Sequence, residues 1–320
     1  MTLQTDRPGA APVKRRWRRV DGVLLLDKAG GASSNGVLQQ VRRLYGAAKA
    51  GHGGTLDPMA TGLLVVCFGE ATKFLSWMLE SEKRYTGELL LGVRTDTGDA
   101  EGNVIEHGPV SPDAPDCRAL AAAFTGVIRQ RPPVYSALKV NGRPLYEYAR
   151  AGVAIEAKER DVTIRELGLT FLPPDRLRFD VRCSSGTYIR SLAEDLALRL
   201  GTVGHLTSLR RRASGPFDLS MACGAEALAD RSEAERESCL LPPDVLPYRL
   251  GRVRLDAATT AALRHGRVVG GVGPDGPGPY RLYTPEGGFL GVGELGQDGC
   301  WRAVRLMATG ETATPPKTAS

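Results

Sequence analysis

The run Leu63-Leu64-Val65-Val66-Cys67-Phe68 constrains the fold of this chain most. Successive side chains of a strand point to opposite faces, and here both sets are apolar, so the run predicts a strand buried on both sides. Ahead of it lies a glycine-rich loop, Gly51 to Gly62, and Gly69 ends it.

The neighbouring segments fix the fold class. Val23 to Leu26 is a short apolar run that Asp27, Lys28 and the flexible stretch Gly30 to Ser34 terminate, the pattern of a strand entering a loop. Val37, Leu38, Val41 and Leu44 recur at helical spacing, and Gly46 is placed to stop that helix. A helix over Glu70 to Leu79 and a strand over Tyr85 to Leu91 follow, then a loop of turn formers from Arg94 to Asn103. Leu177, Phe179, Val181 and Cys183 alternate with Arg178, Asp180, Arg182 and Ser184, as in a strand with one wet face. A helix starting at Tyr188 packs Ile189, Leu192, Leu196 and Leu200 on one side, and Gly201 can end it. Strands and helices mix without regular alternation, which predicts an α+β domain around a mixed or antiparallel sheet.

A chain of 320 residues suits one large domain and a smaller one. Pro242, Pro243 and Pro247 follow a charged, helix-like stretch from Ala225 to Glu237 and mark a linker. Beyond it, Arg252 to Leu255, a helix over Ala257 to Leu263, and runs at Tyr280 to Tyr283, Phe289 to Val292 and Trp301 to Leu306 predict a small β-rich domain. The expected division is a domain over 21–247, a second over 248–308, and disordered tails at 1–20 and 309–320. The first tail carries Arg7, Lys14, Arg15, Arg16, Arg18 and Arg19 against Asp6 alone, most of the formal charge of +6. It is either a solvated extension or a phosphate-contacting arm, and a body that binds a polyanion has to use local patches.

An apolar fraction of 42% and a charged fraction of 24% are those of a globular protein. No window reaches the ~18 apolar residues of a membrane span, and the N-terminus lacks the apolar core of a signal peptide. The expectation is a soluble, cytoplasmic protein. Its six cysteines, Cys67, Cys117, Cys183, Cys223, Cys239 and Cys300, are widely scattered and form no C-x-x-C pair, with only four histidines to complete a metal site. Reduced cysteines and no metal are expected.

The loop GHGGTLDPMATG carries the most chemistry. Its glycines let backbone approach a planar ligand, and it lacks the Gly-Lys-Ser/Thr ending of a phosphate loop. Asp57 before Pro58 has two readings: a helix N-cap with proline at the first helical position, or a catalytic carboxylate. His52 by itself reads as an ordinary loop histidine.

Four further segments decide between them: GVLLLDKAGGASSN (22–35), KRYTGELLLGVRTDTGDAEG (83–102), CSSGTYIRSLAEDL (183–196) and HLTSLRRRASGPF (205–217). With GHGGTLDPMATGLL, their order and spacing resemble the TruB family of tRNA pseudouridine-55 synthases over roughly residues 21 to 220. YSALKVNGRPLYEYAR, from Tyr135 to Arg150, fits the same pattern, and the C-terminal part resembles a small PUA-like RNA-binding domain. Ala29 stands after Lys28 where the family usually has proline, which frees the loop without removing a functional group.

The resemblance implies a pseudouridine synthase fold and isomerisation of uridine 55 in the T stem-loop of tRNA. It implies no cofactor and no guide RNA; a monomer is the default expectation. It makes Asp57 the catalytic aspartate and places His52 where the extruded base, or the gap it leaves, is held. Tyr85 matches the tyrosine that stacks on the target uracil. Tyr188 and Arg190 match cleft residues, the arginine being the partner of the carboxylate, and Leu209 an apolar residue of the pocket. Lys28 contacts the RNA backbone or braces the cleft. With tRNA as partner, Arg210, Arg211 and Arg212 become candidate phosphate contacts, although neighbours on a strand face opposite ways and cannot all touch one surface. The rival reading is a tRNA-folding chaperone that binds without turnover.

These roles make chemical sense independently. Uridine becomes pseudouridine by breaking N1–C1′, rotating the uracil and joining C5 to C1′, which needs neither oxidation nor a donor group. A folded loop must first extrude the nucleotide, and an aromatic face can then hold it.

Overall fold

The computed structural model describes residues 17–308 apart from 112, 137, 141, 152 and 154–157. In chain order come strands β1 (Gly22–Lys28), β2 (Ala50–His52), β3 (Thr61–Phe68), β4 (Lys83–Leu91), β5 (Val93–Thr95), β6 (Val104–His107) and β7 (Gly126–Gln130). Helices α1 (Ser34–Leu44), α2 (Leu75–Leu79) and α3 (Cys117–Phe124) lie among them. A small hairpin, β8 (Lys139–Val140) and β9 (Arg143–Pro144), and α4 (Leu145–Arg150) precede β10 (Arg160–Leu172) and β11 (Arg176–Cys183). Next are α5 (Ile189–Arg199), β12 (Gly204–Ser214), β13 (Phe217–Asp218), β14 (Cys223–Gly224), α6 (Ala225–Ala229) and α7 (Glu233–Ser238). The last group is β15 (Gly251–Arg254), α8 (Ala257–Arg264), β16 (Val269–Gly270), β17 (Gly278–Tyr283), β18 (Phe289–Leu295) and β19 (Cys300–Leu306).

Ten strands make one mixed sheet, ordered β14-β1-β3-β12-β4-β11-β10-β7, with β2 beside β3 and β13 beside β12. The apolar run sits in β3, every residue of which from Gly62 to Phe68 is buried. One of its faces packs with Leu24 and Leu26 against Val37, Leu38 and Val41 of α1; the other packs Leu63, Val65 and Cys67 against Phe74 and Met78. A further core gathers Leu89, Phe179 and Val181 of the sheet under Ile189, Leu192 and Leu196 of α5. Strand β11 alternates buried and wet positions as its sequence predicts.

The sheet has a seam. Strands β3 and β12 run parallel and share only two register pairs, Thr61 with Arg210 and Gly62 with Arg211, whereas β1 pairs with β3 along its whole length. Gly62 is required there: at φ +99° a Cβ would stand 2.3 Å from the Arg211 carbonyl oxygen. The cleft described below is lined on the β12 side of this seam by Leu209 and Arg211.

The second sheet, ordered β15-β17-β18-β19-β16, closes over Trp301, whose ring meets Tyr280 edge-on at 5.5 Å. The proline segment before it is no free linker. Leu246 is fully buried in the cluster that holds Val23, Phe74, Phe217 and Val292, and Phe74 meets Phe289 at 5.2 Å.

Two other expectations change. Trp17 to Val20, expected in the tail, are ordered against the body. Arg42 lies over the Trp17 ring at 4.5 Å, Arg18 donates to the Tyr45 carbonyl and pairs with Glu233 and Glu237, and Arg19 pairs with Asp21. Residues 1–16 and 309–320, expected to be disordered, lie outside the described residues. The single helix expected over Glu70 to Leu79 is a 3₁₀ turn, Gly69–Phe74, followed by α2. Glu70 and Lys73 pair at i,i+3, the spacing that eclipses in a 3₁₀ turn, and Lys73 also donates to the Leu306 carbonyl.

Candidate active site

The loop between β2 and β3 enters no helix after Asp57. That removes the helix-cap reading, because a cap needs a helix whose free N–H groups it can satisfy. The loop is held from behind by buried polar groups. Ser34 Oγ both accepts the Leu56 N–H and donates to the Leu56 carbonyl, each at 2.8 Å. Lys28 Nζ donates to the carbonyls of Ala29, Pro58 and Ala60 at 2.7–3.0 Å. Lys28 is fully buried, and through these bonds it braces the loop. Burial lowers its pKa, while Glu101 and Asp57 favour its charge.

Asp57 faces Arg190, the second residue of α5. Arg190 Nε lies 3.0 Å from Asp57 Oδ2, and Nη2 donates to Oδ1 at 3.2 Å, so two donors of one plane meet both carboxylate oxygens. The guanidinium is 6% exposed at its side chain and spends two of its remaining donors on the Thr97 carbonyl (2.8 Å) and the Tyr135 carbonyl (2.7 Å). Asp99 Oδ2 lies 3.8 Å from Nε. Burial raises the Asp57 pKa, Arg190 opposes this, and Asp99 adds to the rise. The arginine orients the carboxylate and only partly offsets its desolvation.

The other expected residues converge on the same cleft, about 740 Å³ in volume, lined by His52, Asp57, Tyr85, Tyr188, Arg190 and Leu209. Tyr85 comes from β4 and is 9% exposed; burial raises the pKa of its hydroxyl. Leu209 lies on β12, buried at 7%. His52 sits in β2 with Nδ1 buried and unpartnered among the described residues, and burial and then Arg211 lower its pKa, favouring neutral imidazole. Tyr188, immediately before α5, has the Arg160 guanidinium over its ring at 4.8 Å.

The three consecutive arginines separate as strand geometry requires. Arg211 is 1% exposed; Nε donates to the Leu63 carbonyl at 2.6 Å and Nη2 to the Gly54 carbonyl at 3.1 Å, so it braces the loop from the β12 side. Arg210 is paired with Asp27 at 2.7 Å. Arg212 alone is exposed.

Sequence reasoning missed Asp99, Thr97 and Gln130. Asp99 and its surroundings read as turn formers, yet Asp99 is 4% exposed and accepts from Thr97 Oγ1 at 2.7 Å and the Glu101 N–H at 3.1 Å. No periodicity flags a buried polar turn of this kind. Gln130 ends β7 and holds the Tyr188 backbone.

Comparison with known proteins matches the model "TruB family pseudouridylate synthase (N terminal domain)" over residues 42–189. Models for the "tRNA pseudouridylate synthase B C-terminal domain" and "Pseudouridine synthase II TruB, C-terminal" match 190–248 and 251–307. A protein named tRNA pseudouridine synthase B from Chromohalobacter salexigens is 48% identical over 304 residues, 94% of this chain and 99% of that one. The chain belongs to the TruB family. A second such synthase, from Aromatoleum aromaticum, is 50% identical over 301 residues, 94% of this chain and 97% of its own. Among solved structures, a Cbf5-Nop10-Gar1 complex gives a TM-score of 0.65 at 24% identity, covering 88% of this chain and 79% of the matched one, a likeness of fold. The TruB segments meet between residues 189 and 190, so Asp57 and its arginine partner come from different matched segments. Among the described residues no helix is long and apolar enough to cross a membrane.

Proposed function

We propose that this chain isomerises uridine 55 in the T loop of tRNA to pseudouridine, with Asp57 as the catalytic carboxylate. Its TruB relatives from Chromohalobacter and Aromatoleum are named tRNA pseudouridine synthases, and the alignments span nearly the full length of both partners. The observation that carries the residue-level reading is the Asp57 carboxylate, held at both oxygens by Arg190 inside a cleft walled by Tyr85, Tyr188 and Leu209.

A uridine extruded into this cleft offers its base to the Tyr85 ring and its sugar to the carboxylate. Base–aromatic stacking is worth about 1–3 kcal/mol, enough to offset part of the cost of unstacking. A single carboxylate can attack C1′, attack C6, or take a sugar proton to give a glycal, and each route starts from ionised Asp57. In every case N1–C1′ breaks, C5–C1′ forms, the C5 proton leaves to solvent and N1 gains one. The reaction is balanced without an oxidant or a donor group.

The test is tritium release from tRNA transcript carrying 5-tritiated uridine, under single-turnover conditions with excess enzyme. Wild type releases the label, whereas Asp57→Asn releases none and binds tRNA within a few-fold of wild type. Substantial release by Asp57→Asn ends this reading, and binding without release by wild type favours the chaperone.

A further inference from the structure

We infer that Gln130 is a positioning residue for this reaction, setting through one side-chain amide the placement of both Tyr188 and Arg190; the inference rests on the proposed role of Asp57. Gln130 is 2% exposed, at the end of β7, directly across from Arg160 of β10. Its Oε1 accepts the Tyr188 N–H at 2.8 Å and its Nε2 donates to the Tyr188 carbonyl at 2.9 Å. The amide therefore pairs with the Tyr188 peptide as a neighbouring strand would, and only one orientation of its oxygen and nitrogen satisfies both partners.

This pairing sits where α5 has no side-chain cap of its own. A helix start leaves N–H groups that need partners. Tyr188, at the cap position, provides no side-chain cap, and the first turn holds no acidic residue. The end of β7 supplies the support from outside: the two Gln130 bonds, and the Ser191 hydroxyl donating to the Arg131 carbonyl at 2.9 Å. The same turn carries the Tyr188 ring under Arg160 and, two residues on, the guanidinium that holds both oxygens of Asp57. A slip of the helix start moves the wall of the cleft and the partner of the carboxylate together. Displacements near 1 Å of catalytic groups typically cost about 10²-fold in rate.

The test uses the full chain. Gln130→Glu has the same shape and keeps the acceptor for the Tyr188 N–H, but sets an oxygen against the Tyr188 carbonyl; Gln130→Asn keeps the amide but is one methylene too short to reach. Both are expected to melt cooperatively, to bind tRNA transcript within about threefold of wild type, and to lose single-turnover tritium release at saturating enzyme by ~10–100-fold. A purely architectural residue would lower the melting temperature without changing the saturated rate of the folded fraction. Folded Glu and Asn variants with saturated rates within about threefold of wild type overturn the inference, as does a loss confined to tRNA affinity. Asp57→Asn run alongside separates the two readings. Its inactivity beside normal Gln130 variants sinks only the role of Gln130, whereas its activity sinks the role of Asp57 on which this inference stands.

Discussion

Replacing Arg190 by lysine tests how much of the site depends on shape and how much on charge. The guanidinium meets four oxygens: both of Asp57, at 3.0 and 3.2 Å, and the carbonyls of Thr97 and Tyr135. An ammonium keeps the positive charge but donates from one point, so it cannot span the carboxylate and both carbonyls. Losing one charge-assisted bond to Asp57 amounts to about 1.5–3 kcal/mol. At 1.36 kcal/mol per decade this is ~10–150-fold in rate, if the bond matters in the transition state. The expected single-turnover rate of Arg190→Lys is thus about 10²-fold below wild type, with tRNA affinity nearly unchanged because Arg190 is buried. The pH profile adds a second reading. Asp57 must be ionised, and burial raises its pKa, so the wild-type rate climbs with pH through a value above that of an ordinary aspartate. A less well placed counter-charge raises that pKa further, so the acid limb of Arg190→Lys moves to higher pH. The offset in rate persists on the alkaline plateau, where Asp57 is ionised in both proteins. A lysine variant within about threefold of wild type across the profile would refute the argument that the planar group, and not its charge, holds the carboxylate.

Substitutions at two more positions separate the roles of neighbouring groups. Tyr85→Phe keeps the ring face and is expected to retain much of the turnover, while Tyr85→Leu forfeits ~1–3 kcal/mol of stacking and falls ~5–150-fold below it. Equal, near-wild-type rates in single turnover return Tyr85 to the sheet core. Lys28→Met leaves three carbonyls without their donor and is expected to lower stability by about 1–3 kcal/mol in urea unfolding, while the log–log salt slope of tRNA binding stays unchanged. A slope lower by ~0.7–0.9 would identify Lys28 as a phosphate contact after all.

The elements legible in the sequence are those whose side chains announce a period. Strand β3, helix α1 and the alternating β11 follow directly from where Leu63 to Phe68, Val37 to Leu44 and Leu177 to Cys183 put their apolar groups. The second sheet was legible for the same reason. Polar groups that are buried by one another leave no such trace. Thr95 and Asp99 read as a wet turn because nothing in TDTGD says that its oxygens face inward. For Lys28 the sequence leaves two readings open, an RNA contact or a brace of the cleft, and for Arg210 to Arg212 it does not say which could meet phosphate; Lys28 and Arg211 both donate to loop carbonyls. Alternation along a strand did predict that Arg211 faces away from Arg210 and Arg212, but not which side is interior. Asp57 with Arg190 was legible through the family pattern alone, since 133 residues separate them and no periodicity relates a loop to a helix start.

The seam in the large sheet divides the working parts between two plates. Lys28 and the loop bearing Asp57 belong to the plate of β1 and β3; Tyr85, Leu209 and Arg190 belong to the plate of β4, β11 and β12 with α5. Two register pairs are a weak hinge, and on their own they would let the plates rock and the carboxylate drift from its partner. Arg211 acts as the rivet: rooted in β12, it grips the carbonyls of Gly54, Thr55 and Leu63 across the gap. Arg211 thus ties the plate that carries the Asp57 loop to the plate that carries Arg190, beside a cleft of about 740 Å³ that both plates line.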